Sequence, residues 1–106
     1  MKVRFLKLAQ FEVDAAVAWY GSQSAGLETQ FLDNLDMAVR RIAAYPFSYV
    51  EVEQGLRRCL FSRFPYGIIY GMDTDTIIVV AVAHLHREPR YWLDRMPEKN
   101  PDKNNS

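Results

Sequence analysis

A chain of 106 residues, 49% hydrophobic and 25% charged, is the size of one globular domain with a single core and is too short for two. Its formal net charge is zero and its pI about 6.7, far below the pI above about 9 of a domain that grips a long polyanion through its phosphates. A single cysteine, Cys59, excludes an internal disulfide framework and a thiol-based zinc cluster.

The longest uncharged apolar run, Thr76 to Ala83, falls far short of the roughly 20 residues of a membrane span. Met1 to Gln10 carries Lys2, Arg4 and Lys7 without a signal-type apolar stretch. A soluble protein of the reducing cytoplasm is expected. Charge is unevenly placed: residues 1–53 hold five Lys/Arg against seven Asp/Glu, and residues 54–95 hold six Arg against four acids. Every cation in the second stretch is arginine, whose planar fork suits a carboxylate or phosphate. A small anionic target fits this pattern better than a long polyanion.

Val3 and Phe5 alternate with Lys2, Arg4 and Lys7, so 2–7 is expected to be a half-buried strand. From Ala9 the period changes. Ala9, Val13, Ala16, Val17 and Tyr20 recur at helical spacing, with Glu12 and Asp14 early, where acids suit the dipole, and Gly21 to Ser24 ends the pattern. Leu27, Phe31, Leu35, Ala38, Ile42 and Tyr45 form a second helical stripe that Pro46 closes. The linker of about five residues makes the two helices a hairpin. A loop over 46–52 and a turn at Gly55 then lead to strands over 56–64, 66–72 and 76–84, an antiparallel meander. Strict alternation in the last strand would place either Val79 with Ala81 or Val80 with Val82 in the core. The order strand, helix, helix, strand, strand, strand makes an α+β two-layer sandwich: a helical hairpin packed on a mostly antiparallel sheet whose other face is partly open. Residues 1–96 are expected to form the single domain, and the polar stretch 97–106 a disordered tail.

Several side chains carry chemistry in this layout. His84 and His86 stand on one side of an extended chain, but no third ligand has metal spacing to them, so a histidine that caps the strand end is the expected role. Cys59 reads as a buried, inert thiol. Trp92 is expected in the core and Tyr91 at the surface. In the meander the turn at 64–66 and the exit at 84–87 lie at one end of the sheet, so Arg63, His84 and Arg87 are expected to converge there as an anion clamp, with surface pairing to Glu88 or Asp94 as the plainer alternative. Phe11, Trp19 and Tyr20 are apolar residues at the margin of the first helix's core stripe, suited to receiving a partner segment.

The second half of the chain resembles the RelE/ParE toxin superfamily. The resemblance spans residues 3–95. It is carried by Ala9 to Tyr20, Gly26-Leu27 with Phe31-Leu32, Ile42 to Pro46, Arg57-Arg58, Arg63-Phe64-Pro65-Tyr66 with Ile69-Tyr70, and Ala83-His84 with Arg87, Pro89 and Trp92, in the family's order. It implies a toxin, of the plasmid-stabilisation kind, in a type II toxin–antitoxin module: a hetero-oligomer in which a cognate antitoxin wraps and silences it, with no cofactor and no metal. The superfamily divides by mechanism. ParE-like members are associated with inhibition of DNA gyrase. RelE-like members are ribosome-dependent mRNA endonucleases that need cations at the developing phosphorane and a proton carrier. For the nuclease branch the candidates are Arg57, Arg63, Arg87 and Tyr91, with His84 or His86 moving the proton. The absence of lysine between Lys7 and Lys99 and the zero net charge favour the ParE-like branch. On that branch Arg63, Tyr66, His84, Arg87 and Arg90 are the expected target-binding residues, and Phe11, Trp19 and Tyr20 the antitoxin-binding ones.

Overall fold

Val3 and Phe5 turn inward from strand β1 (Lys2–Phe5) in the computed structural model, which describes residues 1–96. The expected tail over 97–106 lies outside the described residues. Helix α1 (Lys7–Gln23) begins directly after Leu6 and buries Ala9, Val13 and Ala16. It runs through Gly21 and Ser22 instead of stopping there. Ser22 Oγ donates to the Trp19 carbonyl at 2.6 Å, a bond that satisfies the last turn from within. The reversal falls at Gly26, whose φ of +89° is the left-handed conformation that glycine adopts without strain.

Helix α2 (Leu27–Ala44) presents Phe31, Leu35, Ala38 and Ile42 to the sheet, the stripe expected from the sequence. The remaining elements are β2 (Val50–Glu53), β3 (Leu56–Leu60), β4 (Tyr66–Asp73), β5 (Thr76–His84) and a short 3-10 turn, η1 (Leu93–Arg95). The sheet order is β1-β5-β4-β3-β2. β1 lies parallel to β5, and the other pairings are antiparallel. The meander is therefore present, with one addition: residues 50–53, expected as loop, form an edge strand against β3. Four residues of Val-Glu-Val-Glu give too short a period to stand out; the turn at Gly55, with φ of +78°, folds them back into register.

Both helices cover one face of the sheet, where Phe31, Ile42, Phe61, Ile68, Tyr70, Ile77, Val79 and Val82 form the main core. The second face is less open than expected. Trp92 packs there on Leu56, Ile69, Ile78, Val80, Ala81 and Ala83, and Tyr91 and Met96 flank it. The chain after β5 thus folds back as a strap, with Trp92 in the core as read from the sequence.

Neither core register expected for β5 is the one adopted. Pairing shifts between Ile69 opposite Ala81 and Tyr70 opposite Val79, so Val80 is the extra residue of a bulge. A bulge reverses the in-and-out alternation along the strand. Val79 and Val82 face the helices, and Val80 and Ala81 face the strap.

Tyr70 is fully buried and donates to the Pro46 carbonyl at 2.5 Å. Burial, with the nearby Cys59 second, pushes its pKa up to about 12 from the ordinary value of 10.0. The folded state therefore holds this proton more tightly than the unfolded chain. The associated stability is whole below pH 10 and is lost as pH rises through about 12. Spectrophotometric titration is expected to show one tyrosine ionising with loss of fold in that window, and Tyr70→Phe to remove the step.

Candidate functional site

β1 ends opposite Val79, so β5 runs on from Val80 to His84 with β4 on one side and no strand on the other. Two backbone groups of this stretch are bound by side chains instead. Glu12 of α1 accepts the Val82 N–H at 3.0 Å, and Arg95 donates to the Val80 carbonyl at 3.2 Å. The two side chains also pair with each other, Arg95 to both Glu12 oxygens at 2.9 and 3.1 Å. Their side chains are only 11% and 13% exposed. A two-point guanidinium–carboxylate contact at this depth is geometrically strict.

Tyr91 completes the network. Its hydroxyl donates to Glu12 Oε2 at 2.5 Å, and its ring is in contact with the guanidinium groups of Arg87, 3.9 Å from the ring centre, and Arg95, 4.9 Å. Burial first, and then the Glu12 carboxylate, holds the Tyr91 pKa far above its ordinary value. The phenol is a donor and no proton acceptor. The surface position expected for Tyr91 is thus corrected: the ring is half-buried because Glu12 draws it in.

Between α1 and this strap lies a cavity of about 360 Å³, lined on the α1 side by Phe11, Glu12 and Trp19 and on the other by Tyr66, His84, Arg87 and Tyr91. Phe11 and Trp19 are 68% and 59% exposed, large apolar groups left uncovered at its rim. Phe11 and Trp19, expected to meet an antitoxin, therefore share one cavity with Tyr66, His84 and Arg87, expected to meet a target, which sequence spacing could not show; Tyr20, Arg63 and Arg90 do not line it.

Tyr20 differs from its two companions. It stacks on Phe31 at 5.4 Å and meets Phe64 and Tyr66 edge-on at 4.9 and 6.2 Å, so it belongs to the core and not to the exposed surface. Tyr66 sits opposite His84 in the sheet, their rings 5.1 Å apart, and Leu85 N–H donates to the Pro65 carbonyl at 2.8 Å. The turn at 64–66 and the exit at 84–87 do meet at one end. His84 Nδ1 accepts the His86 N–H at 3.1 Å, the strand-end cap expected of it, which leaves Nε2 to carry the proton of the neutral ring.

Arg63 does not join this cluster. Its backbone N–H is fixed by Asn34 Oδ1 at 3.0 Å, which also accepts from Ser62 Oγ at 2.9 Å, and its side chain is exposed away from the cavity. Arg57 is farther off: it donates to the Tyr49 carbonyl at 2.7 Å, lies over Phe47 and pairs loosely with Glu51 at 3.8 Å. Arg90 pairs with Glu53 at 2.5 Å. Arg87 turns to neither Glu88 nor Asp94; its acid is Glu12 at 3.7 Å. Cys59 is buried, and burial raises its thiol pKa despite Arg41 nearby, in keeping with an inert thiol. Among the described residues, no three His, Cys, Asp or Glu side chains are placed to hold a metal ion, and no helix is long and apolar enough to cross a membrane.

A family model described as the ParE toxin of the type II toxin–antitoxin system, parDE, matches residues 3–89. The chain belongs to the ParE toxin family. Among solved structures, the chromosomal ParDE toxin–antitoxin system from P. aeruginosa shares the fold, with a TM-score of 0.69 over 81% of this chain and 97% of that one at 13% identity. No curated protein matches the sequence significantly. The family match ends at Pro89, so the ParE-family core includes His84 and Arg87, whereas Tyr91, Trp92 and Arg95 of the strap lie beyond the matched span.

Sequence reasoning missed Glu12 and Arg95 as the centre of the site. From the sequence Glu12 reads as an early helix acid that suits the dipole, although the helix in fact begins at Lys7 with no acid in its first turn, and 83 residues separate Glu12 from Arg95. No local spacing signals such a pair.

Proposed function

We propose that this ParE-family toxin acts by binding, with DNA gyrase as its target, and that the cavity between α1 and the strap is the surface through which it does so. The supporting observation is the commitment of the polar groups to one another. Tyr91 gives its proton to Glu12, Arg95 is held at two points by the same carboxylate, and Arg87 lies flat on Tyr91. RNA cleavage requires a group free to accept the 2′-hydroxyl proton and cations free to meet the phosphorane. A wall with an uncovered tryptophan and phenylalanine, one outward arginine and one histidine suits protein recognition, where aromatic and arginine anchors dominate binding.

The competing reading, a ribosome-dependent mRNA endonuclease, is favoured by one observation: His84 and Arg87 line the same cavity, a proton carrier beside a cation. Expression without antitoxin separates a site here from one elsewhere. Arg87→Ala and His84→Ala are each expected to keep their circular dichroism and to relieve growth arrest, with survival rising at least about tenfold for loss of one anchoring contact. Full arrest by both folded variants would move the toxic surface away from this cavity.

A further inference from the structure

The strap also encloses a second, smaller cavity of about 140 Å³ on the far face of the sheet, with Arg58, Ile69, Ala83, Arg90 and Trp92 among its walls. Arg58 is the unusual member. It is half-buried, its Nε is fully shielded from solvent, and among the described residues that nitrogen has no hydrogen-bond partner. A shielded donor without an acceptor is unfavourable, and it marks a guanidinium whose donors the fold itself leaves unsatisfied. The local sequence explains how the group reaches this position. Gly67 sits beneath the Arg58 stem, where an added Cβ would lie 3.2 Å from Cγ and 3.3 Å from Cδ, so the stem rests flat on the sheet.

We propose that this cavity receives one carboxylate side chain of a protein segment bound across the strap, with Arg58 as the group that meets it. Charge supplies the first argument. Arg58, Arg87 and Arg90 line the space; Arg90 is already paired with Glu53, and Arg87 only loosely with Glu12, which leaves a positive surplus centred on Arg58. Size and lining supply the second. Ile69, Ala83 and Trp92 give an apolar wall for an aliphatic stem, and the outer nitrogens of a guanidinium form a fork that matches the two oxygens of a carboxylate. A nucleic-acid phosphate would need a track of cations, whereas the whole chain has a net charge of zero. Position supplies the third: His84, Arg87 and Tyr91 wall both cavities, so a segment lying over Phe11 and Trp19 in the first passes Arg87 to reach the second. Glu88 lines the same space, exposed and without an ion pair among the described residues, and competes from within for the same cation.

The assignment does not depend on which protein the toxin inhibits, and its test needs no target. The ¹⁵N-labelled protein is titrated with acetate, and separately with inorganic phosphate and with chloride at matched ionic strength, following the Arg58 Nε–Hε and Trp92 indole resonances. Acetate is expected to shift both saturably, with half-saturation on the order of 10 mM for one charge-assisted contact open to water on one side. Arg58→Gln, with its remaining amide spectrum unchanged, is expected to abolish the shift, and Glu88→Gln to tighten it roughly threefold by removing the internal competitor. Resonances that stay still under acetate, or saturation by phosphate at lower concentration than acetate, would overturn the proposal; so would weaker acetate binding by Glu88→Gln. A toxin that leaves gyrase untouched yet shows the acetate shift would sink the gyrase reading alone.

Discussion

Replacing Glu12 with alanine is expected to lower the stability of the fold by about 3–5 kcal/mol, the range found when one partner of a buried ion pair is removed. The reason is the number of groups that lose their acceptor together: the Val82 N–H, the Tyr91 hydroxyl and both Arg95 nitrogens. Against a total of about 5–15 kcal/mol for a domain of this class, that is a large fraction. The strap is held to α1 chiefly through this carboxylate, so its release would also uncover Trp92 and the second face. Urea denaturation followed by tryptophan fluorescence measures the change. The double variant Glu12→Ala with Arg95→Met is expected to recover about 1–3 kcal/mol, because the unpaired buried cation goes with its partner. A loss below about 1 kcal/mol in the single variant would mean that water replaces the carboxylate and the network is not structural.

The second large effect concerns the antitoxin. Phe11 and Trp19 project from α1 with more than half of each surface uncovered, so they contribute little to the fold and are free to anchor a bound segment. Phe11→Ala with Trp19→Ala is expected to weaken antitoxin binding by about a hundredfold or more, as loss of two aromatic anchors at the centre of an interface does. Stability should change by less than about 1 kcal/mol, since exposed side chains away from special features matter little. Tyr20→Ala serves as the contrast. Its ring fills the aromatic cluster with Phe31, Phe64 and Tyr66, so it is expected to cost the fold about 3 kcal/mol, whatever it does to affinity. Calorimetry with purified antitoxin reads both quantities. Unchanged affinity in the double variant would place the antitoxin elsewhere.

The element order, the helical hairpin, the meander and the buried Trp92 were legible because each rests on a local period or a local break. Helical spacing in 27–44 and the run in 76–83, β-branched except at Ala81 and Ala83, leave little choice of structure. Residues 50–53 were not legible as a strand, since an edge strand of four residues is defined by the neighbour it pairs with and not by its own pattern. The bulge at Val80 escaped for a related reason: every residue from Ile77 to Ala83 is apolar, so the sequence carries no mark of where the alternation reverses.

The site divides in the same way. His84, Arg87 and Tyr66 were placed together because the turn at 64–66 and the exit at 84–87 follow from the meander alone. Arg63 was drawn into that group by proximity in sequence, but Asn34 pins its backbone and its exposed side chain does not line the cavity. Glu12 and Arg95 could not be paired in advance. Their contact depends on how far the strap folds back, a tertiary distance without a sequence period. Tyr91 was misplaced as a consequence, for its burial follows from Glu12.

The central claim is that the toxin acts by binding and leaves RNA intact. It is tested most directly by giving the same purified protein to gyrase in a supercoiling assay and to a reconstituted translation reaction whose mRNA is mapped for new 5′ ends. The account predicts that supercoiling stops at stoichiometric toxin, that Arg87→Ala relieves the block, and that no mRNA cleavage appears. Codon-periodic mRNA cleavage with supercoiling unaffected would contradict it.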